Sequence, residues 1–181
     1  MQVTNSVSRI GKYNHANFFL HGYTFLVIKK NSVLLIGINN MHDTCSTAAA
    51  MIKISTNIQD CYLVGHTEHS DIRGGFKEIF RQNVFREEFG CDWVQNNFSY
   101  SYEDVLRGLH VVPFSKIVGC LSGTIYDVVV DLRKDSPTYL NYYSTYLNVN
   151  NNIFVYIPPG CGHGFLSLED KSVLFYMQSD Y

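Results

Sequence analysis

His110 and Lys116 stand six residues apart, with His110 closing the run Val105-Leu106-Arg107-Gly108-Leu109-His110. An imidazole takes up a proton near neutral pH, and an ammonium holds the anion that proton removal leaves behind. The two residues are therefore equipped to remove a proton α to a carbonyl, provided both reach one cavity. A second candidate segment is Ile157-Pro158-Pro159-Gly160-Cys161-Gly162-His163-Gly164-Phe165. Its prolines fix φ at a strand end and its glycines permit a tight turn, which predicts His163 at the lip of the following strand.

The elements that must position these groups read mostly as strands. Tyr (13) and Phe (12) are abundant, which favours sheets over helical bundles. Residues 23–28 and 32–38 form a hairpin candidate around Lys29-Lys30-Asn31, followed by a polar and small-residue connector up to residue 50. Beyond it, strands are predicted at 59–64, 76–80 and 92–98, the second entered through a turn at 71–75. A short helix at 83–89 is ended by Gly90. Residues 116–121 and 124–132, either side of Ser122-Gly123, read as the clearest hairpin, and further strands follow at 142–147, 153–157 and 172–177. Many short strands with little helix predict an all-β sandwich or small barrel.

Composition narrows the class. At 181 residues, 46% hydrophobic and 17% charged, the chain suits one well-buried globular domain. A net charge of −2 with scattered Lys and Arg gives no footprint for nucleic acid or for a membrane surface. The apolar stretch 23–38 is broken by Lys29, Lys30, Asn31 and Ser32, so no membrane span and no signal peptide are expected. Cys45, Cys61, Cys91, Cys120 and Cys161 are odd in number, widely spaced and free of any Cys-x-x-Cys pair. They read as reduced packing residues of a cytoplasmic protein. No metal is expected either, because Lys116 stands among the candidate ligand positions and two histidines alone make a poor site.

The two histidine segments have the look of a cupin barrel, and an ordered set of pieces resembles one family, the dTDP-4-dehydrorhamnose 3,5-epimerases. The pieces are Asp71-Ile72-Arg73-Gly74 with Phe76 and Glu78, Val94-Gln95-Asn96-Asn97 with Ser99, and residues 105–110 with Lys116. Residues 123–127, Val130-Asp131-Leu132-Arg133, Asp135-Ser136-Pro137-Thr138, residues 157–165, and Tyr176 with Tyr181 continue the series. The resemblance covers residues 51–181 and implies a cupin-type jelly-roll barrel with little helix, preceded by an appended segment, 1–50, of no assigned role.

The implied activity is cofactor-independent 3,5-epimerisation of a nucleotide-linked 4-keto-6-deoxyhexose in deoxysugar biosynthesis, by a homodimer. The resemblance makes His110 the base at C3 and C5, Lys116 the support of the enolate oxygen, and Tyr176 the acid on the opposite face. Arg73, Glu78, Gln95, Asn97, Arg107 and His163 match positions that hold the nucleotide, the diphosphate or the sugar. Asp127, on one strand face with Asp131, is a candidate carboxylate to orient His110 or Lys116; Asp131 has Arg133 as an alternative partner.

Three departures bear on activity. The family continues past the position of Tyr181 with a tail that carries the base's carboxylate partner; residues 1–50 match nothing in it; and Gly75 stands where it commonly has Phe. The alternative expectation is thus a cupin remnant that binds a sugar nucleotide without turning it over. A cupin isomerase that moves the keto group between C3 and C4 would want a His-x-His-Lys run, which His110-Val111-Val112-Pro113 does not supply.

Overall fold

A computed structural model of the chain describes residues 51–181 in full and, before them, the backbone of three strands. The chain forms two compact units, 1–47 and 48–181. In the first, β1 (Ala16–Leu20), β2 (Thr24–Lys29) and β3 (Ser32–Ile36) make an antiparallel sheet in that order. Lys29 pairs with Ser32, so β2 and β3 pair as the expected hairpin requires. Strand β1 was not anticipated, and the expected connector at 39–50 lies outside the described residues.

The second unit contains β4 (Ile52–Ser55), β5 (Tyr62–Gly65), β6 (Glu68–Asp71), β7 (Gly74–Lys77), α1 (Gln82–Phe89), β8 (Gln95–Ser101) and β9 (Leu106–Val111). It continues with β10 (Lys116–Ser122), β11 (Thr124–Asp131), β12 (Tyr142–Asn148), β13 (Ile153–Ile157), β14 (Cys161–Ser167) and β15 (Ser172–Gln178). Six strands form one sheet, β4-β5-β13-β10-β15-β8, and four form another, β12-β11-β14-β9. Among the described residues β6 and β7 pair only with each other, turning at Ile72-Arg73 between the register partners Asp71 and Gly74. With one helix among the described residues, the all-β class holds.

The expected hairpin at Ser122-Gly123 is corrected. Strand β10 pairs with β13 and β15, whereas β11 pairs with β12 and β14. Gly123, at φ 74°, instead carries the chain from one sheet to the other, and a Cβ there would collide with Ser172 Oγ. The physical reason lies in burial. Residues 116–120 of β10 are buried without interruption, as in a strand covered on both faces, while β11 alternates strictly. They belong to different layers.

Two apolar clusters follow from this layering. Val118, Ile125, Val129, Leu147, Val155, Ile157, Phe165 and Leu174 fill the space between the sheets. Ile117, Phe154, Tyr156 and Met177, on the other face of the six-stranded sheet, pack with Phe85 and Trp93. Helix α1 ends where Gly90 takes the left-handed conformation (φ 69°) and its N–H bonds the Arg86 carbonyl. The strand expected at 92–98 begins only at Gln95 because Asp92 accepts from Gln82 and Arg86, and Trp93 packs edge-on against Phe85 and Phe89.

Candidate active site

A cavity of about 380 Å³ opens between the sheets, a volume suited to a small organic ligand. Arg107 and His110 line it from β9, His163 and Phe165 from β14, Lys116 and Val118 from β10, and Leu174, Tyr176 and Gln178 from β15. The three residues read from the sequence as base, enolate support and acid thus reach one hollow. His110 comes from the four-stranded wall, and Lys116 and Tyr176 come from the six-stranded wall.

That Arg107 and His110 both face inward needs explanation, because residues three apart on a regular strand point to opposite faces. The register supplies it: His163 pairs with His110 but Phe165 pairs with Arg107, so two residues of β9 oppose Gly164 alone. This bulge inverts the alternation. Only glycines fit the contact. Gly108 sits at φ 131°, and a Cβ on it would lie 2.6 Å from Gly164 Cα, while a Cβ on Gly164 would lie 2.8 Å from the Arg107 carbonyl.

His163 was expected at a strand lip, but it is the third residue of β14, buried, and faces His110 across the ladder. Its Nε2–H donates to Asp127 Oδ1 at 2.7 Å. Asp127 is also buried, so the carboxylate fixes the imidazole from behind while the ring lines the cavity. Asp127 therefore orients His163, and no hydrogen bond joins it to His110 or Lys116. His110 itself is exposed, and its imidazole makes no hydrogen bond among the described residues.

Lys116 is buried, with 7% of its surface exposed, and among the described residues its ammonium makes no ion pair or hydrogen bond. Burial holds its ammonium below the usual lysine range, and the nearby Asp127 charge partly offsets that fall. A desolvated, unpaired cation on a cavity wall is a receptor for negative charge.

Arg107 is braced by donating from Nε to Ser101 Oγ at 2.9 Å and from Nη2 to the Tyr100 carbonyl at 3.4 Å. Gln95 and Asn97 alternate on the inner face of β8: Gln95 Nε2 donates to Asn97 Oδ1, and Asn97 Nδ2 donates to Gln178 Oε1, each at 2.9 Å. They stand beside the cavity behind Gln178. Arg73 and Glu78 do not join it. Arg73 pairs with Asp71 at the exposed tip of the β6–β7 hairpin, and Glu78 pairs with Arg81 beside a separate small pocket at His66 and Phe85. Ser99, Phe165, Leu174 and Gln178 were missed as cavity residues. A two-residue step along β15 from Tyr176 would have found Leu174 and Gln178.

A family model described as dTDP-4-dehydrorhamnose 3,5-epimerase matches residues 55–181. The chain belongs to this family. Its dTDP-4-dehydrorhamnose 3,5-epimerase relative in Shigella flexneri is 38% identical over 134 residues, 71% of this chain and 74% of the relative. Among solved structures, an epimerase of Legionella pneumophila Philadelphia 1, in complex with dTDP-4-keto-L-rhamnose, is similar with a TM-score of 0.69. That pair is 35% identical, covering 73% of each chain. ChmJ, a 3'-monoepimerase of Streptomyces bikiniensis in complex with dTDP-quinovose, aligns with a TM-score of 0.67 at 34% identity, over 71% of this chain and 68% of ChmJ. Solved relatives in this epimerase family are thus named both for 3,5- and for single-centre epimerisation.

Proposed function

We propose that the chain epimerises a dTDP-linked 4-keto-6-deoxyhexose at C3 and C5 by proton removal and return, with no cofactor. The observation that carries this reading is the single cavity lined by His110, Lys116 and Tyr176. The His110 imidazole takes the proton α to the C4 carbonyl, and the electron pair moves onto the C4 oxygen. The Lys116 ammonium stabilises that enolate. The Tyr176 phenol returns a proton to the other face, and solvent then reprotonates the phenolate and deprotonates the imidazolium. No redox change occurs. Arg107 suits the diphosphate because its fork donates twice, and Gln95 and Asn97 suit the nucleotide end.

Turnover of dTDP-4-keto-6-deoxyglucose in deuterated water tests the reading. Deuterium at both C3 and C5 is expected, and His110→Asn should abolish it. Label at C3 alone would make the protein a single-centre epimerase. One observation favours a second reading, binding without turnover: His110 has no carboxylate partner among the described residues. Tight calorimetric binding of dTDP with no label at either carbon would establish that alternative.

We further propose a homodimer in which Arg73 and Glu78 serve the partner's cavity. The isolated β6–β7 hairpin exposes Ile72 and Phe76, and a two-stranded ribbon is marginal in water by itself. Strands β8 and β9 are open sheet edges that expose Phe98, Tyr100 and Leu106. Mixing Arg73→Ala with His110→Asn should restore exchange if sites are shared, and sedimentation as a monomer at micromolar concentration would refute the dimer. A cytoplasmic location is supported by the described cysteines. All four are free, and burial pushes the Cys61 thiol up to about 12 and those of Cys120 and Cys161 to about 11. Among the described residues no helix is long and apolar enough to cross a membrane.

A further inference from the structure

We infer that Gln178 is a second catalytic donor to the enolate oxygen, acting beside Lys116; the inference rests on the epimerase reading above. Gln178 and Lys116 are register partners on neighbouring strands β15 and β10, and both line the cavity. Directly opposed side chains on one sheet face stand about 5 Å apart at Cβ, so ammonium and carboxamide are offered to the same region of a ligand.

The amide network decides which end of Gln178 the ligand meets. Its Oε1 accepts from Asn97 Nδ2, whose own Oδ1 accepts from Gln95 Nε2. The ladder therefore consumes the acceptor end of Gln178. Reversing its carboxamide would set one NH2 group against another. Its NH2 group makes no hydrogen bond among the described residues and remains as a fixed donor.

A neutral donor of this kind suits an oxygen whose charge grows during reaction. The diphosphate is better served by the charged fork of Arg107 on the opposite wall. Tyr176 lies two residues from Gln178 on the same face of β15, which sets the proposed proton donor and the proposed oxyanion donor side by side. A carbon and its neighbouring carbonyl oxygen require that arrangement. The pre-oriented amide needs no reorganisation when the enolate forms, which is why such donors lower a barrier.

Gln178→Met keeps the length and removes the donor; Gln178→Ala serves as a second variant. Both should lower kcat about a hundredfold, with deuterium exchange falling in parallel. Calorimetric Kd for dTDP should stay within about twofold, since the donor meets the C4 oxygen of the sugar and not the nucleotide, and KM for dTDP-4-keto-6-deoxyglucose should rise only severalfold, far less than kcat falls. An unchanged kcat, or a loss confined to dTDP affinity, overturns the inference. Absence of exchange in the unaltered chain would instead defeat the epimerase reading. Calorimetry then decides on Gln178 independently: the affinity for the keto sugar relative to dTDP should drop severalfold in both variants, and an unchanged ratio overturns the assignment.

Discussion

Asp127 and Asp131 lie four residues apart on one face of β11, and both are buried. Asp131 accepts from Arg133, Ser136 and Thr138, all within seven residues. These bonds pin the connection to β12, and the Arg133 guanidinium holds the Asp131 carboxyl well below the usual carboxylate range. Asp127 instead bonds His163 on a neighbouring strand, and its charge reaches Lys116 on the other sheet. The carboxyl of Asp131, held so far below its usual range, is thus a structural one. A local ring of donors saturates Asp131, whereas the partner of Asp127 turns its other side to the cavity. Perturbation alone does not mark a site.

The contrast can be broken in four ways. The largest expected effect is on the cation that the Asp127 charge reaches. Lys116→Met should cut deuterium exchange about a thousandfold by removing the enolate's charge partner. Its melting temperature should rise, because a buried ammonium whose pKa is lowered by folding opposes the folded state at neutral pH. A drop in melting temperature would mean that Lys116 holds the sheets together.

Next come the carboxylates themselves. Asp131→Asn should cost about 3 kcal/mol in urea unfolding while sparing the turnover of folded molecules, since Arg133, Ser136 and Thr138 lose their shared acceptor. Asp127→Asn should lower kcat about tenfold or more by loosening His163, with a smaller change in the unfolding midpoint. Equal behaviour of the two variants would erase the distinction between the two carboxylates.

A third test uses alkaline pH. In the proposed reaction Lys116 acts as the ammonium, so activity should fall as pH rises through its lowered pKa, below the ordinary value of 10.5. Asp127 supports the charged form, so Asp127→Asn should move that limb of the kcat profile to still lower pH. Asp131→Asn should leave it in place.

The smallest effect is expected in acid. The folded-state pKa of Asp131 lies below its ordinary value of 3.8, so its stabilisation is complete above that value and drains away as pH falls beneath it. Unfolding midpoints between pH 5 and 2 should show this loss in the unaltered chain, and Asp131→Asn should flatten it.

Much of the fold was legible because its signals are local. The Gly90 stop, the β2–β3 pairing and the strands around 142–147, 153–157 and 172–177 depend on turn chemistry and alternation among near neighbours. The pairing of β10 was not legible, since Ser122-Gly123 is as good a turn between sheets as within one. The cavity was half legible: His110, Lys116 and Tyr176 stood out by type and by their place in a familiar series of motifs, while Gln178 looked like any polar strand end.

The sequence by itself determined which side chains could hold a proton, a negative charge and a diphosphate, because those capacities belong to imidazole, ammonium, phenol and guanidinium wherever they stand. Tertiary structure alone decided that Asp127 serves His163, that the Gly108–Gly164 contact turns Arg107 and His110 to the same side, and that Arg73 stays outside the cavity. Those outcomes depend on strand register and layer burial. Both are set by contacts between residues far apart in the chain, and neither is written into any short stretch of it.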